Sequence, residues 1–211
     1  MVLPLRADAE RNRQRLLAAA KELFTTHGLD VTLDDIARHA GVGTGTAYRR
    51  FPNKGALIDA LMVDRIGELV DVAKECLEEP DPWLGLSGFF ERALALQAAD
   101  RGLNEIMHTS ARGRERSNEA RKQMAPVVAR LVSRAVKAGA VRSDMATTDV
   151  PLINFMLNLL VNFGRDVEPD LYKRYLAIVL DGLRPRDDLE PLPVAPLGVT
   201  EFQDALGRWK R

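Results

Sequence analysis

Apolar residues in this 211-residue chain recur at steps of three and four, and the apolar–polar alternation of a half-buried strand is nearly absent. Leu16, Ala20, Leu23, Phe24 and His27 share one face of a first helix, which Gly28 ends because a glycine past the last periodic residue can take the left-handed cap. Thr32 offers a hydroxyl cap with Asp35 three residues on, close to a capping box. Leu33, Ile36, Ala37 and Ala40 then form the apolar side of a short second helix that stops at Gly41. A third short helix is expected over about Gly43 to Arg50. Asn53 can cap a longer fourth, with Leu57, Leu61, Ile66, Val70 and Leu77 at apolar positions and Pro80 and Pro82 closing it.

Beyond that break the pattern predicts helices near 83–100, 103–109, 116–138, 149–163 and 170–183. Pro126 must kink or split the third of these. Pro185, Pro191, Pro193 and Pro196 make 184–198 an extended strap, and Phe202, Leu206 and Trp209 outline one last amphipathic helix over 200–211. The expectation is an all-α chain: an N-terminal three-helix helix-turn-helix domain over 1–55, a helical body over 56–186, and a proline-rich tail with a short terminal helix over 187–211.

Composition narrows the function classes. Apolar residues make up 46% and charged residues 28%, ordinary for a globular protein. A single cysteine, Cys76, excludes an internal disulfide and fits a reducing compartment. The N-terminus turns charged before any apolar run of signal-peptide length, and no stretch nears the roughly 18 uninterrupted apolar residues of a membrane span. A cytoplasmic protein with no membrane partner is expected. Net charge is zero, yet residues 6–54 carry nine Lys/Arg against six Asp/Glu, so a mildly basic head sits on a mildly acidic remainder. His27, His39 and His108 have no metal spacing with Cys76, and Asp35 and His39, four apart, suit a surface ion pair better than a metal. With no Gly-x-Ser-x-Gly elbow and no carboxylate pair in an obvious cleft, no catalytic residue, metal or cofactor is expected.

The stretch "ARHAGVGTGTAYRRFPNK" (37–54) holds glycines at 41, 43 and 45. A dinucleotide fingerprint needs a preceding strand and the order G-x-G-x-x-G, and neither is present. A helix-turn-helix fits instead. Ala37 is small where two helices cross, Gly41 can take a left-handed turn, and Val42 and Ala47 plug the junction. Gly43 and Gly45 each cost about 1 kcal/mol of helix propensity, tolerable where backbone must come close to DNA. Thr44 and Thr46 supply short hydroxyls, Tyr48 a longer one, and Arg49 a fork suited to guanine or phosphate. Asn53 and Lys54 open a helix whose amides favour a phosphate oxygen.

The helix over 149–163 is apolar nearly all round apart from Asn154, Asn158 and Asn162, whose amides need partners on a twin helix, on water or on a ligand. Trp83, Phe89, Phe90, Met107, His108 and Met124, with Asn154 and Asn158, are candidates for a ligand pocket; the large apolar ones fill plain core by default.

The segment "RQRLLAAAKELFTTHGLDVTLDDIARHAGVGTGTAYRRFPNKGALIDALM" resembles the N-terminal domain of the tetracycline-repressor (TetR) family of one-component transcriptional regulators. The features that carry it are "AAKELF", "G-x-D-V-T-x-D-D-I-A", "A-G-V-G-x-G-T-x-Y" and "F-x-N-K-x-x-L". The resemblance implies a homodimer that binds double-stranded operator DNA and is released by a small-molecule effector held in the body. By matching position it implies base contacts from Thr44 and Arg49, and phosphate contacts from Thr32, Thr46, Tyr48 and Lys54. It also implies a dimer seam on the last two major helices, with Phe155, Leu159, Asn162, Leu176, Val179 and Leu180 suited to it. Two positions depart from the family: Gly43 stands where serine is frequent, and Arg50 where an aromatic or histidine is. Arg50 either adds a phosphate contact or pairs with a neighbouring acid. A ligand-independent DNA-binding or adaptor protein is the alternative reading.

Overall fold

A computed structural model describes residues 3–99 and 114–209, and among them the chain forms nine helices and no strand. These are α1 (Leu3–His27), α2 (Leu33–His39), α3 (Thr44–Arg50), α4 (Lys54–Glu78), α5 (Pro82–Ala99), α6 (Arg114–Lys137), α7 (Asp149–Gly164), α8 (Leu171–Leu183) and α9 (Val199–Trp209), with a 3-10 turn at Gly28–Asp30. The helix expected over 103–109 lies outside the described residues. Helix α6 runs through Pro126 without being split. Two compact units result, one built chiefly from residues 3–65 and the other from 66–99 and 119–209, and α4 supplies core residues to both.

In the first unit Leu16, Ala20 and Phe24 of α1 meet Leu33, Ile36 and Ala37 of α2, Ala47 of α3, and Leu57 and Leu61 of α4, all buried. Each fully buried leucine or phenylalanine contributes roughly 1.5–3 kcal/mol relative to exposure. Helix α2 starts on a full capping box: the Asp35 amide donates to Thr32 Oγ1 (3.2 Å) and the Thr32 amide to Asp35 Oδ2 (3.1 Å). The Thr32 donors hold the Asp35 carboxyl below the usual carboxylate range. Helix α2 ends in a Schellman turn, with Gly41 at φ 61°, its amide on Arg38 O (3.1 Å) and the Val42 amide on Ala37 O (2.9 Å).

In the second unit α5 packs on α7 and α8, and α7 on α8. Phe89 and Phe90, ring centroids 6.3 Å apart, sit among Leu86, Leu94, Leu131, Val132 and Leu157. A Cβ at Gly85 would fall 2.6 Å from the Cys76 carbonyl oxygen, so only glycine lets α5 touch the end of α4 so closely. Arg134 of α6 closes that helix end, donating to the carbonyls of Leu77 (2.6 Å), Glu79 and Pro80 (2.8 Å). Cys76 is buried, and desolvation pushes its thiol up, away from reactivity.

The strap after α8 is tied to the loop before α7. Arg142 and Asp144 form an ion pair; Arg142 Nη2 also donates to Glu190 O (3.1 Å), Asp144 Oδ2 accepts from the Leu192 amide (2.9 Å), and Thr148 Oγ1 donates to Leu197 O (2.8 Å). Arg142 and the Leu192 amide draw the Asp144 carboxyl from 3.8 down to about 2. Helix α9 follows, its described side chains exposed except half-buried Phe202.

Two outcomes are expected. Gly41→Ala places a Cβ in the left-handed region and 2.7 Å from Arg15 Nη2, so urea unfolding should show a loss of about 1–2 kcal/mol. Because its folded pKa is depressed, Asp144 adds stability that is complete above 3.8 and fades as pH falls through about 2. The difference in urea midpoint between the protein and Asp144→Asn should therefore be clear near neutral pH and shrink through that acid window.

Candidate nucleic-acid interface and the faces of the helical body

The α2–turn–α3 segment is held from beneath. Val42 and Ala47 are buried, and the left-handed Gly41 turn brings the Gly41 carbonyl under Arg15 of α1, whose Nη2 donates to it at 3.1 Å. Gly43 caps α3 through its carbonyl, which accepts from the Thr46 (2.8 Å) and Ala47 (3.0 Å) amides. What remains of α3 faces outward. Thr44, Gly45, Tyr48, Arg49 and Arg50 are exposed and Thr46 is half-buried. A Cβ built at Gly43 or Gly45 meets nothing within 4 Å, so packing inside the protein gives no reason for glycine at either position. The surface they open is a smooth backbone approach beside two threonines.

The long polar side chains here lie against the protein itself. Arg49 folds back along α3, its Nε on Gly45 O (3.2 Å) and its Nη2 on Thr46 Oγ1 (3.0 Å). Tyr48 donates its hydroxyl to Asp34 of α2, and the Asp34 charge raises the phenol pKa, so Tyr48 stays a donor at neutral pH. Arg50 pairs with Glu10 of α1 (3.2 Å) in the free protein. Asn53 Oδ1 accepts the Ala56 amide (2.9 Å) and caps α4, with Lys54 next to it and 5.7 Å from the Phe24 ring centroid. Thr32, exposed, sits at the start of α2 on the same segment. Asp35 and His39 do not pair: Asp35 holds Thr32 and Arg38, while His39 Nε2 lies 2.7 Å from Glu22 Oε2. Sequence reasoning missed Arg15, Glu10 and Asp34, because their partners lie at separations or orientations no local pattern encodes.

The second unit redistributes the candidates for ligand and seam. Phe89 and Phe90 are fully buried core, and Met124 packs partly buried against it. Trp83 stacks under Arg184, whose guanidinium carbon lies 3.6 Å from the ring centroid. Met107 and His108 lie outside the described residues. Asn158 is buried and engaged in a polar contact, whereas Asn154 Oδ1 and Gln97 Oε1 are buried acceptors with no hydrogen-bond partner among the described residues. None of the described candidates lines the open apolar groove of about 320 Å³ that runs between α7, α8 and the strap, walled by Leu152, Ile153, Val179, Leu183 and Leu192 with Arg142 and Asp149 at its polar margin. Of the expected seam residues, Phe155 and Leu159 are exposed and Asn162 half-buried, and Val179 and Leu180 are partly buried. Leu176 instead points into the core at 4% exposure, because α8 has apolar residues on two sides and this one faces inward. Leu152, Met156 and Phe163 of α7, with Tyr175 and Ile178 of α8, add to the exposed apolar surface. Among the described residues no group of three His, Cys, Asp or Glu could hold a metal, and no helix is long and apolar enough to cross a membrane.

Comparison with known proteins joins the two units under one family. Residues 16–61 match the family described as bacterial regulatory proteins, tetR family, and residues 81–185 match the transcriptional regulator SbtR-like, C-terminal domain. The HTH-type transcriptional regulator TtgR of Pseudomonas putida is 38% identical over 117 residues, 51% of this chain and 54% of that protein. The chain spans about half the length, or less, of the curated relatives it matches. Solved structures match further. A TetR transcription regulatory protein from Mycobacterium vanbaalenii is 33% identical, with TM-score 0.62, over 86% of this chain and 100% of that one. A TetR transcriptional regulator from Streptomyces coelicolor is 34% identical, with TM-score 0.60, over 82% and 98%. Since the similarity at 33% identity covers the whole of a solved relative, and the family match over 16–61 spans the glycine turn and outward α3 built above, the chain belongs to the TetR family of bacterial transcriptional regulators.

Proposed function

We propose that the chain works as a homodimer that sets two copies of α3 into successive major grooves of operator DNA, and that a small molecule held in the second unit weakens that binding. The observation that carries this reading is the outward face of α3: a helix anchored by buried Val42 and Ala47 and left open at Gly43 and Gly45. Its N-terminal residues would meet base edges, as in other helix-turn-helix proteins. Thr44 and Arg49 take the base-reading role. Thr32, Thr46, Tyr48 and Lys54 take phosphate, with the amides at the start of α4 behind Asn53.

For these side chains the intramolecular contacts are placeholders. The hydroxyl of Tyr48 and the guanidinium of Arg49 exchange a protein acceptor for a DNA acceptor, and both are exposed enough to do so at small cost. The exposed apolar face of α7 and α8 supports dimerisation, because so many large apolar side chains in one region mark an association surface. Gln97 Oε1 and Asn154 Oδ1, buried acceptors with no partner among the described residues, would each recover about 1–3 kcal/mol from a ligand's donor. A ligand preferring the subunit arrangement that misplaces the two α3 helices lowers DNA affinity by its differential affinity, typically about 1–3 kcal/mol.

Two measurements test the reading. On a duplex selected from a random-sequence library, Arg49→Ala should cost about 1–3 kcal/mol at particular base pairs and blur preference there. Lys54→Ala should instead weaken all duplexes alike and flatten the salt slope by about 1 for each subunit bound. If Lys54→Ala altered base preference and spared the slope, the roles assigned above would be wrong. Separately, Phe155→Glu with Leu159→Glu should sediment as a monomer and bind the selected duplex about a hundredfold or more weaker, since linked half-sites gain that much from avidity. A dimer surviving both changes would move the seam elsewhere.

A further inference from the structure

Glu10 stands among side chains from three helices of the first unit. Its Oε1 is held by its own helix, accepting from Gln14 Nε2 (3.0 Å) and lying 3.5 Å from Arg13 Nη1. Arg13, only 19% exposed, is fixed in turn by Asp64 of α4, 3.2 Å from its Nη2. With Oε1 so engaged, Oε2 is left facing α3, where Arg50 Nη2 donates to it at 3.2 Å. The Gln14 amide, Arg13 and Arg50 together keep the carboxyl below the usual carboxylate range, so Glu10 is charged at neutral pH.

Arg50 occupies the last turn of α3, next to the segment of Asn53 and Lys54 that leads into α4. It is 41% exposed and Glu10 54% exposed, so the pair is held in water and is weak enough to exchange partners. A guanidinium fork can grip a carboxylate or the two unbridged oxygens of a backbone phosphate, and Glu10 offers Arg50 only Oε2.

We propose that Glu10 is a positioning residue that competes with the DNA backbone for Arg50, holding one phosphate-seeking arginine out of the interface. Protein-side competition of this kind sets how strongly the chain binds DNA of any sequence, without changing which bases α3 reads. The inference rests on the reading that α3 meets DNA, and it gives a negatively charged residue of α1, far from α3 in sequence, a part in that binding.

The test is a salt titration on a mixed-sequence duplex of about 30 base pairs, long enough for two half-sites one helical turn apart. Glu10→Gln should bind about 2- to 5-fold tighter at low salt, the range an exposed pair can withhold. It should also steepen the logarithmic salt slope by about 0.9 for each subunit bound, the increment for one more phosphate contact apiece. In Glu10→Gln with Arg50→Gln both gains should vanish. Equal gains with and without Arg50 would mean that Glu10 acts as a general repulsive charge, and no gain at all would mean that Arg50 is not withheld; either result overturns the proposal. Lys54→Ala in the same titration separates the two layers. A flattened slope there with no effect of Glu10→Gln rejects only this inference, whereas no effect of Lys54→Ala rejects the reading beneath it.

Discussion

The geometry of the first unit depends on one peptide turn. Gly41 in the left-handed region closes α2 through two backbone hydrogen bonds and redirects the chain within two residues. Val42 and Ala47 then drop into the core, and the Arg15 guanidinium takes the turn's free carbonyl. A seven-residue helix such as α3 has no stability of its own, since helix nucleation is unfavourable and short helices are marginal in water. It exists because the turn and the buried plug hold its inner side. The outer side is thereby released from any packing duty and can be made of residues poor for helices but good for close approach.

That division explains an otherwise costly composition. Gly43 and Gly45 give up helix propensity for no internal contact, and Thr44 beside them is exposed. The polar side chains around them rest on the protein: Arg49 on its own helix, Tyr48 on Asp34, Arg50 on Glu10. Exposed contacts of this kind contribute little to stability. Their effect is to fix where these donors sit in the free protein.

The second unit solves a different problem, the joining of long helices at their ends. Arg134 satisfies three carbonyls at and just past the end of α4, Gly85 removes the side chain that would keep α5 away, and the Arg142–Asp144 fork fastens the strap. These are charged or backbone contacts across long sequence separations. They leave the apolar surfaces of α7 and α8 free, one side for the core through Leu157 and Leu176 and the other facing outward through Phe155, Met156 and Leu159.

Much of this was written locally. The helices, the capping box at Thr32 and Asp35, the turn at Gly41 and the cap at Asn53 depend on atoms within a few residues of one another, so the order of side chains alone determines them. The outward residues of α3 were legible for the same reason, because one helical turn decides which of them face away from Ala47. The partners of Arg50, His39, Trp83 and Arg134 were not. Each lies across a gap of 17 to about a hundred residues, and which acid, ring or carbonyl arrives there is decided by how whole helices pack. Leu176 marks the boundary. Its periodicity made it apolar and helical, but α8 has apolar residues on opposing sides, and only packing against α5 and α7 determines that this leucine goes inward.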